Sequence, residues 1–149
     1  LGFNGGNTAV DNAVNQLITA GVTVVNSAGN DGQNACGQSP ARVTSAVTVG
    51  NTRNTDARNS TSNFGSCLDL FAPGTSITSS CRTSDTATCS MTGTSMSSPL
   101  VAGAVALYLR SFPAATPAQV MGWLLNRTTN GLITSPGSGS PNKLLYVGV

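Results

Sequence analysis

Residues Gly93-Thr94-Ser95-Met96-Ser97-Ser98-Pro99 run directly into Leu100-Val101-Ala102-Gly103-Ala104, a turn feeding an almost wholly apolar stretch. No charged side chain interrupts it before Arg110, and a helix apolar on all sides is a core helix. The hydroxyl and backbone N–H of Ser95 both fall at the positive end of that helix. A nucleophile placed there has the negative charge created by its attack stabilised. Serine and threonine are also favoured helix caps for purely structural reasons, so the turn alone does not separate nucleophile from cap.

Composition narrows the field. The 149 residues suffice for one domain or a piece of one. Charged residues make up 8%, with a net charge of +2 and no Lys/Arg cluster, so a nucleic-acid partner is not indicated. No apolar run reaches the roughly 18–20 residues of a membrane span. Ser, Thr, Asn and Gly fill the polar positions, as in many secreted hydrolases. The four cysteines, Cys36, Cys67, Cys81 and Cys89, form no C-x-x-C pair. Disulfides in an oxidising compartment are favoured over zinc, with three pairings open; buried free thiols are the alternative. Histidine is absent. A serine nucleophile needs a general base, most often histidine, so the base of Ser95 is expected on another segment. With a start at Leu1, lacking initiator methionine and signal peptide, the chain is expected to be a fragment.

The apolar pattern sketches an α/β fold. Asn7 or Thr8 caps a first helix with Ala9, Val10, Ala13, Val14, Leu17 and Ile18 on one face and Gly21 at its end. Val22–Val25 is a short β-branched run suited to a buried parallel strand. Helix then strand across one glycine is half a βαβ unit, which predicts a mostly parallel sheet. Further strands are expected at 46–49, 67–71 and 144–147, with a hairpin from 77–81 and 89–92. The long helix spans about Ser95 to Phe112. Thr116-Pro117-Ala118-Gln119 is a capping box with proline at the first helical position. There is no internal repeat and no domain boundary, so residues 1–149 form one unit.

Acyl transfer by serine also requires donors for the oxyanion. The Ser95 N–H is one. Asn30, on a tight Ala28-Gly29-Asn30 turn after a buried strand, suits the second; a plain Asn-Asp-Gly turn is the alternative. A lipase-type elbow does not fit, because G-x-S-x-G needs glycine where Ser97 stands.

The run 93–103 resembles the nucleophile motif of subtilisin-like serine proteases (subtilases), G-T-S-M-A-x-P-H-V-A-G, with Ser97 in place of alanine and Leu100 in place of a non-catalytic histidine. Val24 to Asn30 resembles the subtilase V-x-A-A-G-N segment, whose asparagine is the oxyanion donor. Asn34-Ala35-Cys36, Ser62-Asn63-Phe64-Gly65-Ser66-Cys67 and Asp69-Leu70-Phe71-Ala72-Pro73-Gly74 are similar to the proteinase K branch, and Gly139 to Tyr146 to its aqualysin-like members. The resemblance implies the C-terminal part of a three-layer α/β subtilase catalytic domain, with the Asp and His of the triad upstream.

By resemblance, Ser95 is the nucleophile and Asn30 the donor in a serine endopeptidase acting through an acyl-enzyme. An extended peptide substrate would pair with Leu1-Gly2 and Ser27-Ala28-Gly29. Phe3-Asn4 depart from the glycines expected there. No acidic residue in these segments recruits a basic P1 side chain, so an apolar or aromatic P1 is expected. The family also implies a Cys36–Cys67 disulfide and a structural calcium ion on Asp69 with the carbonyls of Thr44 and Ala46. Cys81 and Cys89 flank a polar turn that suits a cross-strand bond. No cofactor is implied for the chemistry. The parent is expected to be secreted and monomeric, with an inhibitory propeptide and polypeptide substrates, and with neither nucleic acid nor membrane as partner. A pseudoprotease or peptide-binding module on the same fold is the rival reading, and a different α/β serine hydrolase the third. Without the upstream half, the chain alone is expected to be inactive.

Overall fold

A computed structural model describes residues 2–148. Helix α1 covers Thr8–Thr19, capped by the Asn7 side chain, which accepts from the Val10 N–H at 3.2 Å. Strands β1 (Val25–Ser27), β2 (Val47–Thr52) and β3 (Leu70–Pro73) follow, then a hairpin of β4 (Ile77–Ser80) and β5 (Thr88–Met91). Helix α2 spans Thr94–Ser111 and α3 spans Pro117–Asn126, before the short β6 (Thr129–Asn130) and β7 (Lys143–Leu144).

Five strands form one sheet in the order β1-β2-β3-β7-β6. All its pairings are parallel except β6 with β7, and β1 comes first in that order among the described residues. Alternation sends Leu70 and Ala72 to one face and Phe71 to the other. Val47, Val49, Leu70 and Ala72 meet Val101, Ala104 and Val105 of α2 and Val120 and Leu124 of α3 in the main core. The opposite face packs Phe71 with Ala28, Ala35, Ala41, Leu68 and Ile133. Gly50 is required there, since a Cβ would run into the Phe71 ring. Helix α1 contributes Val14 to a separate cluster with Val43 and Ala46.

The first three strands sit further along the chain than the apolar runs predict, while the terminal strand covers only Lys143–Leu144 rather than 144–147. The first begins at Val25 rather than Val22, and the second continues through Gly50, Asn51 and Thr52, all buried. Asn51 is held there by other side chains, Ser62 Oγ accepting from its N–H at 2.9 Å and Thr75 Oγ1 donating to its Oδ1 at 3.1 Å, although Asn51 Nδ2 and Thr52 Oγ1 have no partner among the described residues. The third strand begins at Leu70, because the Leu68 N–H bonds back to the Gly65 carbonyl in a turn. On α1, Val14 is buried but Ala9, Ala13 and Leu17 of the expected apolar face are exposed. Disulfides join Cys36 to Cys67 and Cys81 to Cys89, with Cα–Cα distances of 5.3 and 5.6 Å. No helix among the described residues is long and apolar enough to cross a membrane.

Candidate active site

Ser95 is the second residue of α2, exposed, and Gly93 precedes that helix in extended conformation without a side-chain cap of its own. The cap comes from another segment. Asn30, just beyond the carboxyl end of β1, accepts at Oδ1 from the Thr94 N–H (2.8 Å) and the Thr94 hydroxyl (3.1 Å). The Gly29 N–H donates to the same hydroxyl at 3.2 Å. Fully buried Thr94 thus ties the oxygen side of the Asn30 amide to the helix start, and the Nδ2 group faces away from that anchor. The first N–H groups of a helix have no intrahelical acceptor. Among the described residues no hydrogen bond takes up the Ser95 N–H or Asn30 Nδ2, whereas the Met96 N–H goes to the Gly93 carbonyl. The Ser95 N–H and Asn30 Nδ2 are therefore two neutral donors without an acceptor among the described residues, and Asn30 and Ser95 line one cavity.

Ser95 borders two cavities. One, of about 330 Å³, is lined by Gly2, Asn4, Ser27, Gly29, Asn30, Asp31, Gln38 and Ser95. The other, of about 270 Å³, is lined by Val10, Val14, Val25, Asn26, Ser27, Pro40, Ser95 and Ser98. Gly2, Ser27, Gly29, Asn30 and Ser95 thus come together. Ala28 is buried beneath them, its N–H bonded to the Val49 carbonyl. Leu1 lies outside the described residues. Asp31 adds a carboxylate to the first cavity that segments 27–29 do not contain, held at Oδ2 by Gln38 Nε2 at 3.1 Å.

The departures at 97 and 100 are both accommodated. Ser97 is buried, and its hydroxyl donates to the Ala72 carbonyl at 3.0 Å. Leu100 is 41% exposed. The loop carrying Asn30 is held by Asn63, which in sequence looks like an ordinary turn residue; only its complete burial marks it.

Asp69 lies apart from Ser95 at the start of β3. Its Oδ2 accepts from the Thr48 N–H at 2.7 Å. Burial pushes its pKa from 3.8 up to about 6, against the lowering effects of that hydrogen bond and of the Lys143 charge. Thr44 and Ala46 belong to the turn leading into β2, the first exposed and the second buried. One carboxylate with main-chain carbonyls is a donor set suited to a hard cation. Among the described residues no three acidic, cysteine or histidine side chains cluster, so such a site would rest on main-chain oxygens for most of its ligands.

A model of the subtilase family (Peptidase S8) matches residues 1–144. The chain belongs to the subtilase family. It is 58% identical over 142 residues to an extracellular serine proteinase of Thermus sp. (strain Rt41A), covering 95% of this chain and 35% of that protein. It is 46% identical over 149 residues to an alkaline proteinase of Hapsidospora chrysogena, covering 99% of the chain and 37% of the relative. The crystal structure of a cold adapted subtilisin-like serine proteinase superposes with a TM-score of 0.93 at 46% identity, covering 98% of this chain and 52% of that one. The chain therefore spans about a third of the length of these curated relatives. The superposition agrees with the α/β fold and mostly parallel sheet expected of a subtilase.

Proposed function

We propose that these residues are the C-terminal portion of the catalytic domain of a secreted serine endopeptidase. Ser95 Oγ attacks the peptide carbonyl, and the Ser95 N–H and Asn30 Nδ2 hold the resulting oxyanion. The Ser95 proton passes to a base that the chain, having no histidine, cannot provide; that base then protonates the leaving amine. An acyl-enzyme remains, and water releases it by the same route in reverse. The observation that carries this reading is the anchoring of Asn30 Oδ1 on Thr94, which leaves Nδ2 free at the cavity containing Ser95.

Substrate binding rests on the family resemblance and on Gly2, Ser27 and Gly29 lining one cavity with Ser95: an extended polypeptide would pair its main chain with these segments. Two disulfides and an extracellular relative support secretion. An inhibitory propeptide and a monomeric mature enzyme rest on the family resemblance alone, as does a structural calcium ion at Asp69. No cofactor enters the chemistry.

The test uses the complete protein. A fluorophosphonate should label Ser95, and Ser95→Ala should abolish peptide cleavage. Asn30→Ala should lower kcat by about 100- to 1,000-fold, the size established on subtilisin, itself a member of this family. Labelling at a different residue overturns the assignment.

A further inference from the structure

We propose that Asn63 is a positioning residue for the oxyanion hole, clamping the loop that carries Asn30; the proposal rests on Asn30 being the donor. Asn63 is completely buried. Its Nδ2 donates to the Ala28 carbonyl (2.9 Å) and to Gln38 Oε1 (2.8 Å), and its Oδ1 accepts from the N–H groups of Asp31 and Gln33 (3.0 Å each). A primary amide has two donor hydrogens and two acceptor lone pairs, and here all four are engaged. The Asn63 N–H adds a fifth bond, to the Gly29 carbonyl at 2.9 Å.

These bonds fall on both sides of Asn30 and none on Asn30 itself. Residues 28 and 29 are held before it, and 31 and 33 after it. Gln38 closes the arrangement, accepting from Asn63 and donating to Asp31 Oδ2 at 3.1 Å. The approach is close: a Cβ on Gly29, whose φ is +103°, would collide with Asn63 Nδ2. Side-chain bonds from one rigid, buried amide thus fix a segment that has no strand or helix to fix it. The oxyanion exists only during reaction, so an error in placing its donor is felt in kcat rather than in substrate binding.

The test is a kinetic cycle in the complete enzyme, with rates divided by the serine titrated to completion with a fluorophosphonate, so that unfolded protein does not count. Asn63→Asp keeps the size but turns both donors into acceptors facing the Ala28 carbonyl and Gln38. It should lower kcat about tenfold with KM within about twofold, and in an Asn30→Ala background it should change kcat by less than about twofold, because the two residues act as a unit. If Asn63→Asp fails to fold, Gln38→Met, which removes one bond to Asn63 and one to Asp31, carries the same comparison with a smaller loss. An equal fall in kcat in both backgrounds, an effect confined to KM, or no effect overturns the proposal. If Asn30→Ala itself leaves kcat unchanged, the donor assignment falls first and this proposal with it.

Discussion

Asn30 caps a helix to which it does not belong: its Oδ1 takes both the N–H and the hydroxyl of Thr94, at 2.8 and 3.1 Å. The residues lie 64 positions apart, so α2 and the loop carrying Asn30 are aligned by the same bonds that satisfy the helix end.

Thr94 should therefore matter to rate beyond its place in the motif. Thr94→Val keeps the shape but removes the hydroxyl that holds Asn30 and accepts from Gly29. Losing the partner of the half-buried Gly29 N–H costs about 0.5–1.5 kcal/mol of stability. We expect kcat to fall about tenfold with KM nearly unchanged, since in the proposed mechanism the hydroxyl positions a donor that acts only in the transition state. Thr94→Ser should retain most of the activity. Steady-state kinetics on a peptide anilide checks this, and a normal kcat for Thr94→Val would refute it.

What the sequence makes legible is the local chemistry. The Asn7 cap and the Thr116–Gln119 capping box, where the Thr116 N–H donates to Gln119 Oε1 at 2.8 Å, occur where their patterns lie because each is closed within one turn. The start of α2 after Gly93-Thr94 is equally local. Strand limits depend on partners instead. Gly50 and Asn51 are buried strand residues of types that β-propensity disfavours. In sequence, Asn63 is one polar residue within the Ser62–Cys67 motif. Its burial and its bonds to residues 28–33 arise from tertiary packing, which no short window contains. The exposed Ala9, Ala13 and Leu17 mark the opposite limit, an apolar periodicity whose partner these residues do not include.

The serine at 97 is tied to glycine at 74. A Cβ on Gly74 would meet both Ser97 Oγ and the Asn51 side chain, the latter at 2.7 Å. Gly74→Ala should destabilise the complete protein by about 1–3 kcal/mol, as overpacking does in tight cores. Ser97→Ala alone should lose only about 0.5–1.5 kcal/mol, the net value of its bond to Ala72. Combining them should relieve part of the Gly74→Ala loss, since one of the two clashes is gone. Denaturant midpoints of the four proteins measure the coupling; strict additivity would count against it.

The two disulfides should contribute unequally. In the chain-entropy account a crosslink stabilises more as its loop lengthens. A separation of 31 residues for Cys36–Cys67 gives about 3–4 kcal/mol, and a separation of 8 for Cys81–Cys89 about 2.5 kcal/mol. The first also anchors the 35–37 turn against the Asn63 segment, whereas the second closes an exposed hairpin. Replacing each pair by alanine in a Ser95→Ala background, which prevents self-digestion, should lower Tm more for 36/67. The reverse order in thermal scans would show that loop closure does not set the ranking.

Calcium at Asp69 makes a prediction with a change of sign. Burial raises this carboxyl to about 6, so between roughly pH 4 and 6 the folded protein binds more protons than the unfolded one. Stability therefore falls as pH rises through that window, and above it the ionised carboxylate remains a net cost. A hard cation shared with the Thr44 and Ala46 carbonyls would reverse the balance by compensating the buried charge. At pH 8, Asp69→Asn should then lower Tm in calcium but leave it equal or higher in chelator, while the parent loses several degrees on chelation, about 2–4 °C per kcal/mol for a protein of this size class. Thermal scans of the complete Ser95→Ala protein with and without chelator decide it. A parent Tm indifferent to chelation, matched by the same indifference in Asp69→Asn, would remove the ion from this site and leave Asp69 a buried carboxylate held by Thr48 beside Lys143.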